Sequence, residues 1–202
     1  MSSSTQATPG RDRRDYRLGK RAQAREETRR RIVEAAVDLH CTIGPARTTI
    51  SQIADRAGVQ RHTYYAHFPD ERGLFIACSG LAMERDPLPD AEQWRGMPSG
   101  RQRLHHGLAQ IYGWYERNSG HAACVLRDAE HHALTREMVE MRIAPFFQKA
   151  SEILGAGLDE RSRVLLGVAL DFACWRKLSE TCNHAEAAAL MSDAVVGSGR
   201  QS

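Results

Sequence analysis

The feature that most restricts the fold of this chain is a pair of short apolar helical faces joined at one glycine, in "TTISQIADRAGVQRHTYYAHF", residues 48–68. Ile50, Ile53, Ala54 and Ala57 recur at i, i+3, i+4 and i+7, one face of a helix of only about two turns. Thr49, with Gln52 three residues later, has the capping-box pattern that starts such a helix. Gly58 ends it, because a glycine tolerates the positive φ of a tight turn. A second helix starts near Gln60 and stops at Pro69. The two must cross closely, so Ala54 supplies a small residue at the crossing. Tyr64, ten residues on, anchors the second helix to the first, Phe68 follows one turn later, and Val59 seals the turn. These spacings specify a helix-turn-helix.

The bulky residues of the second helix can then be sorted. Tyr64 and Phe68 share the inward face. Arg61 and Tyr65 share another, His62 and Thr63 adjoin them, and His67 ends the helix. Arginine pairs bidentately with guanine, while Thr and Tyr reach thymine methyls or phosphate oxygens, so this outward face suits a DNA major groove. The competing reading packs Tyr65 and His67 on the following helix. Charge distribution favours the nucleic-acid reading: residues 1–78 carry 14 Lys+Arg against 9 Asp+Glu, whereas residues 79–202 carry 14 against 16.

Residues 1–20 are expected to be a disordered basic tail, with Arg11, Arg13, Arg14 and Arg17 clustered in it. Beyond it, 3.6-residue periods dominate and strand alternation is missing, so the expected fold is all-α with about nine helices: 21–40, 49–57, 60–68, 70–83, 100–117, 122–131, 135–154, 159–178 and 184–196. Asp70 caps the fourth, and "DPLPDAEQWRGMPS", residues 86–99, reads as a loop. The expected organisation is a DNA-binding domain over 21–70, a second domain over 71–196 and a tail over 197–202. Five cysteines with no C-x-x-C pair argue against a disulfide framework or zinc module. The start of the chain lacks the apolar segment of a secretory signal, and Val164 to Trp175 is too short to span a bilayer, so the expected location is the cytoplasm, with no membrane partner.

The stretch "TTISQIADRAGVQRHTYYAHFPDERGLF" resembles the DNA-binding domain of TetR-family transcriptional regulators, over about residues 21–80. The family's recognition helix commonly ends in Tyr-x-His-Phe, matched here by Tyr65, His67 and Phe68. The resemblance implies phosphate contacts from Tyr65 and His67, base or groove contacts from Arg61, His62 and Thr63, and an approach to DNA by Thr49 and Ser51. It implies an all-helical homodimer, most often a repressor, that binds a near-palindromic double-stranded operator and releases it on binding a small molecule. Three positions depart from the pattern. The inward anchor is Tyr64 rather than leucine, the recognition helix opens on Gln60 rather than Ser or Thr, and a phosphate-binding lysine is replaced by Glu71, leaving Arg72 beside it as the substitute.

In the second half, Leu165, Val168, Ala169, Phe172 and Ala173 form one apolar stripe, and Ala187, Ala188, Met191, Ala194 and Val195 another. The resemblance makes these a four-helix dimer interface; the alternative is packing within one monomer. Candidate ligand-binding residues are Tyr112, Trp114, Tyr115, Leu126, Met138, Met141, Phe147 and Trp175, together with Asp171, a carboxylate in apolar surroundings that needs a partner. No catalytic, cofactor or metal site is expected. The alternative function is a metal-dependent helical enzyme built on Asp128, Glu130, His131 and His132. It is disfavoured because adjacent histidines diverge on a helix and only Asp128 and His132 have i, i+4 spacing.

Overall fold

The computed structural model describes residues 9–98 and 100–199. Among them lie ten α-helices, two short 3-10 helices and no strand. The helices are α1 (Pro9–Thr42), α2 (Ile50–Ala57), α3 (Arg61–His67), α4 (Glu71–Arg85), α5 (Arg101–Ala129), α6 (Ala133–Arg142), α7 (Ala144–Leu154), α8 (Glu160–Leu170), α9 (Phe172–Leu178) and α10 (His184–Gly197). The 3-10 helices are Pro45–Arg47, between α1 and α2, and Ala91–Gly96, in the expected loop.

The all-α reading holds, and the helix count differs for physical reasons. The break expected at Asn118-Ser119-Gly120 does not occur. The Asn118 amide donates to the Trp114 carbonyl one turn back (2.9 Å) and to Asp86 (2.7 Å), so α5 runs through. Pro145 at the start of α7 divides the expected helix 135–154. Asp171 divides 159–178: its extended backbone (φ −75°, ψ 133°) ends α8, and its side chain caps α9. The first helix starts at Pro9 rather than near Arg21; its side chains from Tyr16 to Glu27 are exposed and so show no apolar period. Residues 1–8 of the expected tail lie outside the described residues, as do the side chains of Arg11, Arg13 and Arg14.

Two cores result. In the first, Ile32, Val33 and Ala36 of α1 pack on Ile53 and Ala57 of α2, Tyr64 and Phe68 of the α3 region, and Leu74 and Cys78 of α4. In the second, α5 is the spine, with Leu104, Leu108, Ile111, Tyr112 and Tyr115 packed against Ile153 and Leu154 of α7, Leu166 and Ala169 of α8, and Ala187 and Ala188 of α10. Each large apolar side chain so buried contributes about 1.5–3 kcal/mol.

The stripes expected at an interface are largely this core. Ala169, Phe172, Ala187, Ala188, Met191 and Val195 are buried within the chain. The large apolar side chains left outward on α8 and α10 are Val164 (66% exposed), Val168 (47%) and Leu190 (52%), and Ala194 of the second stripe is exposed as well. Among the described residues no helix is long and apolar enough to cross a membrane, and all five cysteines are free.

Candidate functional site

The helix-turn-helix is built as its sequence requires. Thr49 accepts from the Gln52 amide, the Gln52 side chain accepts from the Thr49 N–H (2.8 Å), and the capping box is complete. Gly58 adopts φ +64°, which a side chain would strain. Arg31 of α1 donates to the Ala57 carbonyl (3.1 Å), covering the end of α2. Gln60 caps α3 by backbone position alone, without a side-chain bond. Asp70 accepts from the Gly73 N–H (2.7 Å) and starts α4.

On this frame Tyr64 and Phe68 are buried and Arg29 lies over the Phe68 ring, 5.0 Å from its centroid. The Tyr64 hydroxyl is buried without a hydrogen-bond partner, and burial pushes it up to about 12. Thr49, Gln60, Arg61, His62 and Tyr65 are exposed, and Ser51, Thr63 and His67 are half-buried. Tyr65 stands 44% exposed, so it does not disappear against α4. His67 is lowered by burial and by Arg25 and Arg29 of α1, the helix it faces. Arg72 is exposed but engaged: its guanidinium holds Glu137 of α6 at 2.6 Å. The phosphate contact expected of Arg72 therefore competes with an ion pair.

The second site is a cavity of about 560 Å³ bounded by the end of α1, α4, α5, α6, the start of α7 and the α8–α9 junction. Six of the nine expected ligand residues line it: Trp114, Tyr115, Leu126, Met138, Phe147 and Asp171. Three do not. Tyr112 is fully buried, with its hydroxyl donating to the Ala169 carbonyl (2.7 Å). Trp175 is core, its ring tilted against those of Tyr115 and Phe172. Met141 faces outward, 42% exposed. Asp171 is not a buried carboxylate awaiting a partner; it is exposed and accepts from the Ala173 (2.7 Å) and Cys174 (3.2 Å) amides.

Sequence reading misses the polar wall: His40, Ser79, Asn118, His121, Thr135 and Arg142. Part of it is visible as a stripe, since Asn118 and His121 fall at i+4 and i+7 from Trp114. His40 is lowered to about 4, chiefly by burial and further by the nearby His121 and His132, with Asp128 opposing. Its Nδ1 lies 3.6 Å from the Cys78 sulfur.

The residues of the alternative metal reading are committed elsewhere. Asp128 is buried and accepts from the Ala46 N–H (2.9 Å) and from Arg127 Nε (2.8 Å). Burial works to raise its carboxyl, but those donors outweigh it and hold it below the usual range. Arg127 also donates to the Ile43 carbonyl (3.2 Å), so the end of α5 grips the turn between α1 and α2. Gly44, at φ +101°, makes room: a Cβ there would run into Arg127 and Asp128. His132 caps α6 by accepting from the Thr135 N–H, while Glu130 and His131 are 71% and 80% exposed. Among the described residues no three His, Cys, Asp or Glu side chains group so as to hold a metal ion.

Residues 32–78 match the model of bacterial regulatory proteins of the tetR family. A stretch of 69 residues is 39% identical to the HTH-type transcriptional regulator SrpR of Pseudomonas putida, covering 34% of this chain and 32% of that one. A similar stretch is 38% identical to the HTH-type transcriptional regulator TtgW of the same species, covering 34% of this chain and 50% of that one. The match thus spans no more than half the length of these curated relatives. The fold is similar to that of the transcriptional regulator FadR from Bacillus subtilis in complex with stearoyl-CoA, with a TM-score of 0.57 at 18% identity over 83% of this chain and 97% of that one.

Proposed function

We propose that this chain, which belongs to the TetR family of bacterial regulatory proteins by its helix-turn-helix, is a cytoplasmic, ligand-responsive transcriptional repressor rather than a catalyst. The observation that carries the reading is the outward face of α3. Arg61, His62 and Tyr65 stand in solvent on a helix whose opposite side is pinned by Tyr64 and Phe68. An exposed row of arginine, histidine and tyrosine on a rigidly anchored helix is what major-groove reading requires.

In this account residues 21–70 form the DNA-binding unit and 71–196 the regulatory one. Arg61, His62 and Thr63 meet base edges or the groove. Tyr65, His67 and the residues opening α2 and α3, Thr49, Ser51 and Gln60, meet the backbone, with Arg72 joining when it leaves Glu137. Two copies pair through Val164, Val168 and Leu190, an apolar face on α8 and α10 with no cover in the single chain. The pair has twofold symmetry, so its operator is near-palindromic with half-sites about one helical turn apart or slightly more. A small molecule in the cavity favours a state that fits the operator less well; the coupling needs only different affinities for two states. The test is a titration of the full chain on duplex from the DNA flanking its gene and on a scrambled duplex of equal length. Tight, salt-sensitive binding confined to the first supports the reading, and equal weak binding to both refutes it.

A further inference from the structure

The cavity is mostly apolar, with Phe75, Trp114, Tyr115, Leu126, Met138 and Phe147 in its walls. Five charged residues also line it: Arg127, Glu130, Arg142, Asp171 and Arg176. Three are accounted for. Arg127 is neutralised by Asp128 at 2.7 Å. Glu130 is largely in solvent, and Asp171 spends its carboxylate on the first amides of α9. Arg142 and Arg176 remain, and among the described residues neither has a carboxylate within 4.0 Å. Arg176 is exposed and sits toward solvent.

Arg142 is different. It is half-buried at the end of α6 and lies over Gly80 of α4, where a Cβ would come within 3.4 Å of its Nη2. One bond is satisfied, from Nη2 to the Ile76 carbonyl (3.3 Å). Its Nε is buried and has no partner. A guanidinium carries five donors and cannot shed its charge, so burial beside an apolar chamber is unfavourable without an anion. A purely structural role, strapping α6 to α4 through the Ile76 carbonyl, needs one neutral bond and no charge. It leaves the buried Nε–H unexplained.

We infer that the cavity takes an amphipathic monocarboxylate, with its apolar body against Trp114, Tyr115, Met138 and Phe147 and its carboxylate on Arg142. A planar carboxylate matches an edge of a guanidinium and supplies the anion that Arg142 lacks within the chain. At about 560 Å³ the chamber is of a size that encloses a small organic molecule. Arg176, also in the lining, adds positive charge and disfavours a cationic ligand. This rests on the reading of the cavity as the effector site.

The test uses the full chain and a panel of aryl and alkyl monocarboxylates of graded chain length, each beside its own primary amide. Binding is followed by calorimetry and by tryptophan fluorescence, since Trp114 is in the wall. The best acid is expected to bind about tenfold or more tightly than its amide, the size of one charge-assisted hydrogen-bonded contact. Arg142→Met is expected to erase that preference while leaving the amide affinity within about threefold, and Arg142→Lys to restore part of it, keeping charge but not the fork. Acid and amide binding alike to the unaltered chain would overturn the inference, whether or not any variant folds. So would a preference for the acid that survives Arg142→Met. Failure of acids and amides together would remove both this inference and the effector role of the cavity, while operator binding would be judged separately on its own titration.

Discussion

Replacing Asp128 tests how the two halves of the chain are joined. Its carboxylate sits at the end of α5 and accepts from the Ala46 N–H (2.9 Å) in the turn that precedes α2. It also binds Arg127, which in turn reaches the Ile43 carbonyl. Asp128→Ala removes both acceptors. A hydrogen bond to a charged group contributes about 1.5–3 kcal/mol. Arg127 is 44% exposed, so it regains water and its share is discounted to under about 1 kcal/mol. The Ala46 bond, partly buried, accounts for most of the loss, and the sum is about 2 kcal/mol. For a chain of this size that lowers Tm by about 4–8 °C. Asp128→Asn retains an acceptor for Ala46 and loses the charge, so its loss is about half. Urea and thermal unfolding of the three proteins, with operator affinity in parallel, decide the matter. The turn also sets where α2 starts, so the alanine variant is expected to bind operator several-fold more weakly at temperatures where it is fully folded. An alanine variant as stable as the parent, or asparagine and alanine equally damaging, would refute this account of the junction.

Tyr64→Phe removes a buried hydroxyl without a partner and is expected to raise stability by about 1 kcal/mol, read in the same urea series, with operator affinity unchanged; a destabilised variant would mean that the hydroxyl is satisfied. His40 is held at about 4 when folded against about 6.5 when unfolded, so the unfolded chain takes up protons first. Its contribution is full above pH 6.5 and falls by about 3 kcal/mol as pH drops to 4; His40→Leu should flatten that fall in part, His121 supplying the remainder, and an unaltered profile contradicts the assignment. Val168→Glu with Leu190→Glu is expected to give monomers by sedimentation while leaving the helical content intact, and a persistent dimer would place the interface elsewhere.

The helix-turn-helix is legible in the sequence because its signals are local. The Thr49–Gln52 box, the small residue at Ala54, the left-handed Gly58 and the Tyr64–Phe68 pair each act within one or two turns of chain, and each stands where its chemistry demands. What escapes depends on distant partners. Asn118 reads as a helix breaker, yet bonds to Asp86 and Trp114 turn it into a stitch. Asp171 reads as a buried charge, yet it breaks the helix and so reaches solvent. The periodicity of α8 and α10 marks apolar faces correctly but not what covers them, so it points core residues at an interface and leaves Val164 and Leu190 unmarked. Arg142 carries no local mark at all. Its interest comes from α4 beside it and from the walls around it, and only the folded chain brings those together.

Arg61 gives the most direct test of the central claim. It opens the recognition helix, is exposed, and makes no hydrogen bond or ion pair among the described residues, so its loss leaves the fold undisturbed. Affinities of the parent and Arg61→Ala for operator and for scrambled duplex, measured across a salt series, separate base reading from charge attraction. A base-reading arginine predicts a loss of about 1–3 kcal/mol on operator and a much smaller loss on the scrambled duplex. Equal losses on both would make Arg61 a phosphate contact, and no loss on either would contradict the assignment of this face to DNA.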